Sequence, residues 1–187
     1  MIRCYITNRK ILRPGQRLED VIAANLLSGT DWIQLREKDL SARELLPLAQ
    51  RVLALPNPHA SKILINSRVD IALAAGLDGV HLPAGSPAPT CWNQPTLLWG
   101  VSCHTVAEVR EAEQNGATYA VIGPVFPPLS KDSVLPARGL SLLQQAARSV
   151  KIPVLALGGI TNANAVLCVE NGAAGVAGIT LFQDPGT

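Results

Sequence analysis

Ser28-Gly29-Thr30-Asp31-Trp32-Ile33 joins a helix stop to the start of an apolar run, and the chain repeats the arrangement. Ala75-Gly76-Leu77-Asp78-Gly79-Val80 has the same shape. So do Asn115-Gly116-Ala117-Thr118-Tyr119-Ala120 and Asn171-Gly172-Ala173-Ala174-Gly175-Val176. Each copy follows a helical pattern and precedes a β-rich run. Glycine just after a helix supplies the left-handed residue that ends it. The four glycines stand about two βα units apart, one unit taking roughly 20 to 30 residues. The echo therefore marks every second strand, as alternate strands of a closed barrel would show.

Filling the gaps predicts eight strands, near Arg3–Ile6, Trp32–Arg36, Ile63–Asn66, Gly79–Leu82, Leu97–Val101, Tyr119–Ile122, Val154–Ala156 and Gly175–Ile179. Helical patterns lie near Gln16–Ser28, Ala42–Ala54, Val69–Ala75, Val106–Asn115, Ser141–Ser149 and Asn162–Asn171. The fourth connection, Pro83 to Pro95, is rich in Pro and Gly and has room for a short helix only. Strands alternating with helices point to a parallel α/β fold. The regular apolar strands favour a single-domain (β/α)8 TIM barrel over residues 1–187. A doubly wound sheet is the alternative, weakened because no Gly-x-Gly-x-x-Gly follows an early strand. After the eighth strand only Leu181 to Thr187 remain, so the last helix is expected to be short or missing. One flank is then open, covered by a partner (a homo-oligomer is one such arrangement), or built from residues outside the sequence.

Hydrophobic residues make up 48% of the chain and charged residues 16%, which leaves little surface for large charged faces. The net charge of +2 is small and the basic residues are scattered, so a nucleic-acid partner is not expected. No apolar run approaches membrane-spanning length, and Met1-Ile2-Arg3 does not open a signal peptide. A cytoplasmic protein with small-molecule partners is the expectation. Cys4, Cys91, Cys103 and Cys168 form no Cys-x-x-Cys spacing, and the three histidines complete no zinc pattern. Reduced, mostly buried thiols follow.

In a barrel, functional groups gather at the carboxyl ends of the strands. The second strand ends in Gln34-Leu35-Arg36-Glu37-Lys38. Strand side chains alternate, so Gln34, Arg36 and Lys38 share the face opposite Ile33 and Leu35. Outer helices take the apolar face, which leaves an amide and two cations at the interior or its mouth. They are costly there unless an anion meets them. A solvated strand end is the plain alternative. Other strand ends offer Asn66, Ser67 and Arg68, then His81, then Ser102 and His104, and the loop from Gly123 to Lys131. Gly158-Gly159 on strand seven and Gly178-Ile179-Thr180 on strand eight suit phosphate binding by backbone N–H groups. A structural turn is the alternative for the Gly pair.

These residues resemble the thiamine-phosphate synthase/TenI family over nearly the whole length. The resemblance rests on Gln34-Leu35-Arg36-Glu37-Lys38, Asn66-Ser67-Arg68-Val69-Asp70, Gly79-Val80-His81-Leu82, Gly100-Val101-Ser102-Cys103-His104, Gly123-Pro124-Val125-Phe126-Pro127 and Ala156-Leu157-Gly158-Gly159-Ile160, in family order. It implies that Gln34, Arg36, Lys38 and Asn66 meet a pyrimidine pyrophosphate and that Ser102 lies beside the pyrimidine. It places Ser130 and Lys131 on a loop over the site, Lys131 among the catalytic groups. Gly159, Ile179 and Thr180 would cradle a thiazole phosphate. A synthase joins a pyrimidine-methyl diphosphate to a thiazole phosphate. Pyrophosphate leaves first, and the thiazole nitrogen captures the resulting cation. Such a departure needs charge neutralisation by Arg, Lys and Mg²⁺.

The sequence also departs from the family pattern. Ser67 and Ser86 stand where a synthase carries the two aspartates that serve Mg²⁺, and serine hydroxyls are poor substitutes. Pro128 replaces a Thr of the loop. Leu82-Pro83-Ala84-Gly85-Ser86 and Ala137-Arg138-Gly139-Leu140-Ser141-Leu142-Leu143 are closer to the TenI branch. That branch includes a metal-free thiazole tautomerase, whose catalytic His is replaced here by Pro124. The resemblance thus leans to TenI-like isomerisation of a thiazole phosphate without a cofactor, with His81 and His104 as candidate proton-transfer groups. Hydrogen bonding is the structural alternative for both. Synthase chemistry with Mg²⁺ and a non-catalytic phosphate-binding barrel are the other readings. Asp70 is read as a cap or ion-pair residue.

Overall fold

The echo glycines share one backbone conformation: φ is 78° at Gly29, 72° at Gly76, 84° at Gly116 and 92° at Gly172. This left-handed region is nearly free for glycine and costs other residues about 1–2 kcal/mol. Two positions beyond each glycine lies a second repeated device. The Asp31 carboxylate accepts the Arg3 N–H at 2.8 Å, Asp78 accepts the Ile63 N–H at 2.8 Å, and Thr118 Oγ1 accepts the Trp99 N–H at 2.9 Å. Each latch ties an even strand to the start of the odd strand before it. Ala174 has no side-chain acceptor and lacks the latch, though its carbonyl takes the Ile2 N–H just as the Asp31 and Asp78 carbonyls take those of Lys62 and Leu98.

The structure, a computed structural model, describes residues 1–89, 97–127 and 136–183. Its strands are β1 (Ile2–Ile6), β2 (Trp32–Leu35), β3 (Lys62–Asn66), β4 (Gly79–Leu82), β5 (Leu98–Cys103), β6 (Tyr119–Ile122), β7 (Val154–Leu157) and β8 (Gly175–Gly178). They are parallel and close in sequence order, β8 pairing with β1. The helices are α1 (Leu18–Leu27), α2 (Ala42–Leu53), α3 (Val69–Ala75), α4 (Val106–Gln114), α5 (Gly139–Arg148), α6 (Ala165–Glu170) and α7 (Thr180–Gln183). The TIM barrel expected from the sequence is therefore the fold, with a last helix of one turn. The β-run expected to reach Ile179 stops at Gly178, and Thr180 already opens α7. A 3-10 turn over Arg9–Ile11, not foreseen, sits in the loop after β1. No helix among the described residues is long and apolar enough to cross a membrane.

Strand parity divides the core in two. Outward residues such as Ile33, Leu35, Ile63, Ile65, Val80, Ala120 and Val154 pack under the helices. Inward residues form a separate cluster of Cys4, Ile6, Leu64, Tyr119, Val121, Leu155 and Ala177. The Tyr119 ring takes the space opposite Gly100, where an added Cβ would lie 2.3 Å from it. Trp32 meets the Tyr119 ring edge-on at 4.8 Å, and His81 stacks on it at 5.7 Å. These side chains plug the cylinder, so its chemistry is confined to the mouth. On the flank beside α7 lies a groove of about 620 Å³, bordered by Arg3, Asn25, Phe182 and Gln183.

Candidate functional site

The mouth is shaped by the end of β2. Gln34 faces the interior and is buried, Glu37 is buried on the other side, and Arg36 is half-buried between them. The Glu37 carboxylate accepts Thr7 Oγ1–H at 2.7 Å, the Arg9 N–H and the Arg9 guanidinium. Thr7 Oγ1 in turn accepts the Arg36 N–H at 2.9 Å. Asp39 takes the rest of the Arg9 fork at 2.7 Å, and that bond holds its carboxyl well below the usual carboxylate range. The exit of β1 and the end of β2 are thus clamped together around Arg36.

Arg36 itself is not neutralised. Among the described residues no acceptor takes a hydrogen bond from its guanidinium. Burial pushes its pKa down, with the Glu37 charge opposing, but an arginine stays cationic. A half-buried guanidinium with open donors is an anion receptor. Asn66 lies beside it in the barrel wall. Its Oδ1 accepts from Gln34 Nε2 at 3.3 Å, and its Nδ2 donates to Ser67 Oγ at 2.8 Å. Gln34 therefore orients Asn66 from below. Lys38 is exposed and borders a cavity of about 340 Å³ with Leu35, Glu37, Leu45 and Ile65 of the helix-facing side and with Asn66 and Ser67; neither Gln34 nor Arg36 lines it, so Lys38 does not join them in one pocket as strand alternation predicts. Arg68 is paired with Asp70, the ion-pair role read for that aspartate.

A second group rises from the plug. His81 is 3% exposed; its Nδ1 lies 3.1 Å from the Tyr119 hydroxyl and its Nε2 2.9 Å from Ser102 Oγ. Burial, with the Arg36 charge adding to it, pushes His81 down to about 4. The ring is neutral near pH 7 and both nitrogens are engaged, which suits hydrogen bonding better than proton transfer. Ser102 is half-buried at the top of this column. His104 does not extend the column. Its Nδ1 pairs with the Gly123 carbonyl at 2.7 Å, and its N–H donates to Glu108.

The glycine-lined ends lie across the mouth. Gly159 has φ 62°, and a Cβ there would fall 2.3 Å from the Pro127 carbonyl oxygen. That close approach requires glycine whether or not phosphate binds. Ile179 and Thr180 stand where β8 passes into α7, and a helix start leaves its first N–H groups without intrahelical partners. Ser130, Lys131 and Pro128 lie outside the described residues, as does Cys91. The described cysteines, Cys4, Cys103 and Cys168, are free and buried. Burial pushes the Cys103 thiol up to about 12, which rules out a ready thiolate nucleophile.

The family model for thiamine monophosphate synthase (TMP-TENI) matches residues 4–182. The chain belongs to the thiamine-phosphate synthase/TenI family. Thiamine-phosphate synthase of Roseiflexus castenholzii is 41% identical, over 94% of this chain and 78% of that one. Thiamine-phosphate synthase of Methanospirillum hungatei is 38% identical, over 94% and 87%. Thiamine phosphate pyrophosphorylase from Pyrococcus furiosus superposes with a TM-score of 0.83 at 32% identity, over 96% of this chain and 86% of that one.

The family implies Mg²⁺, and the donor set here does not fit it. Among the described residues the side chain bonded to Asn66 on this rim is Ser67, which is uncharged, and Ser86, at the other position where the resemblance expects an aspartate, is uncharged too. Mg²⁺ is ordinarily held by one or two carboxylates besides substrate phosphates. The neighbouring carboxylates are committed, Glu37 to Thr7 and Arg9, Asp70 to Arg68. Ser67 adopts φ 63°, a region that aspartate and asparagine enter more readily. The serine holds this backbone without bringing a charge to it.

Thr7, Arg9 and Tyr119 were not singled out as site residues from the sequence. Thr7 and Arg9 act on Glu37 across about 30 residues of chain, and nothing local marks that pairing. Tyr119 could have been found: it is an aromatic at inward parity, in register with a glycine on the neighbouring strand.

Proposed function

We propose that the protein is a thiamine-phosphate synthase that joins a pyrimidine-methyl diphosphate to a thiazole phosphate. The observation that carries this reading is the half-buried Arg36 guanidinium, carried on a backbone held by the Thr7–Glu37–Arg9 clamp, close enough to His81 to act on its charge and without a hydrogen-bond acceptor among the described residues. In this reaction the C–O bond to the diphosphate breaks, and the electron pair leaves with pyrophosphate. The thiazole nitrogen then supplies the pair for the new C–N bond. No general base is needed. The demand is for positive charge where pyrophosphate develops and a dry floor beneath the cation. Arg36 meets the first demand, with Asn66 as a neutral donor. The plug of His81, Tyr119 and Trp32 meets the second. Gly159, Ile179 and Thr180 are assigned to the thiazole phosphate on the opposite rim.

The relatives named as synthases support the same reading. TenI-like isomerisation, toward which the sequence leans, needs a free base next to the ligand. Both His81 nitrogens are taken, and Pro124 stands at the family's catalytic His. His104 is the group that would have to serve, with one nitrogen already on Gly123. Incubation with both substrates, with and without Mg²⁺, tests the proposal. Thiamine phosphate and pyrophosphate are expected in equal amounts. Isomerisation of the thiazole carboxylate with no coupling product in either condition would refute it.

A further inference from the structure

The proton positions along the Tyr119–His81–Ser102 column follow from the hydrogen-bond count. Tyr119 is 1% exposed, and among the described residues the only hydrogen-bond partner of its hydroxyl is His81 Nδ1. Two neutral arrangements satisfy the distances. In one, Tyr119 O–H donates to Nδ1, and Nε2–H donates to Ser102 Oγ. In the other, Nδ1–H donates to the Tyr119 oxygen, Ser102 O–H donates to Nε2, and the tyrosine proton is left with no acceptor. A buried O–H without an acceptor is the costlier arrangement, whereas an unused lone pair costs little. Imidazolium would orphan the same tyrosine proton and set a second cation near Arg36.

We propose that Tyr119 and His81 are positioning residues that fix the polarity of Ser102. With Nε2–H held against Oγ, the Ser102 proton is turned away from the column and toward the mouth. Ser102 is then a donor to whatever lies there, and the ligand atom it recognises is an acceptor such as an unprotonated ring nitrogen. Gly100 belongs to the device, since only a residue without Cβ leaves room for the Tyr119 ring. The column, beside the Gln34–Asn66 pair, sets three polar side chains in series within a largely apolar barrel interior. The identity of the acceptor as a pyrimidine nitrogen rests on the synthase reading; the polarity of Ser102 does not.

Two measurements on the full chain test this. Nitrogen-15 NMR of the His81 imidazole at neutral pH, assigned by comparison with His81→Asn, is expected to show protonated Nε2 and bare Nδ1. Tyr119→Phe, which keeps the ring and removes only the hydroxyl, is expected to release that tautomer into a mixture. Protonated Nδ1 in the wild type would overturn the proposal. The second measurement compares binding of the hydroxymethylpyrimidine diphosphate with pyridine analogues in which one ring nitrogen is replaced by C–H. For one nitrogen, wild type should prefer the pyrimidine by about tenfold, a normal hydrogen bond's worth. That preference should shrink in Tyr119→Phe and vanish in Ser102→Ala. A preference unchanged in Tyr119→Phe would overturn the proposal. A protein that binds none of these rings but holds the Nε2–H tautomer would refute the synthase reading and leave the column's polarity standing.

Discussion

Arg36→Ala is expected to lower kcat/KM for the pyrimidine-methyl diphosphate by about a hundred- to a thousandfold, the scale of removing one preorganised donor from a developing anion. The loss should fall on kcat as well as KM, because charge on the leaving pyrophosphate grows in the transition state. The stability of the variant should be unchanged or slightly raised. The guanidinium has no acceptor among the described residues and is half-buried, so removing it relieves a desolvation cost without breaking a bond. Arg36→Lys should recover part of the rate, since it keeps the charge and loses the planar fork. Steady-state kinetics with urea unfolding of the same preparations checks both halves. An unchanged kcat/KM, or an inactive variant that has also unfolded, would deny Arg36 this role.

Acid should weaken the fold well before the carboxylates titrate. His81 is held down to about 4 in the folded protein, mainly by burial, against about 6.5 for an exposed histidine. Between those values the unfolded chain binds the proton and the folded chain does not. Stability is therefore full above about pH 6.5 and falls as pH drops toward 4, by about 3 kcal/mol in total. Below that window the ring is protonated in both states and adds no further slope. Asp39 and Glu19, whose carboxyls are also held down, act at lower pH. Urea midpoints measured from pH 8 to 4.5 should trace the decline, and His81→Gln should flatten it. A wild-type midpoint that stays level to pH 4.5 would mean that the buried column accepts a proton freely.

The two effects come from one piece of construction. A neutral, buried plug forms the floor, and a cation without a hydrogen-bond acceptor among the described residues stands at its edge. The field of Arg36 helps keep His81 neutral, and the neutral His81 leaves Arg36 as the local charge available to an anion. Protein dipoles and cations arranged in a water-poor site act more strongly than they would in solvent.

Much of this was legible in the chain. The glycines at 29, 76, 116 and 172 announced the barrel because a left-handed helix stop has a residue preference strong enough to recur in sequence. Period-two alternation placed Gln34 inside and Ile33 and Leu35 outside, and the register bears this out. Alternation says nothing about partners. Glu37 lies within the conspicuous β2 motif, yet its role depends on Thr7 and Arg9 some 30 positions earlier. His81 was visible as a titratable group at a strand end, but not that a tyrosine from β6 and a serine from β5 would occupy both its nitrogens. The last helix is short, as the few residues after the eighth strand led one to expect, but its start at Thr180 was not legible because four helical residues carry no periodicity to read.

Calorimetric titration of inorganic pyrophosphate into the wild-type protein and Arg36→Ala, in a chelating buffer, asks most directly whether this mouth is an anion receptor. Wild type should bind one pyrophosphate, more weakly as salt is raised, and the variant should lose about tenfold or more in affinity. No binding by wild type, or equal binding by both proteins, would contradict the account.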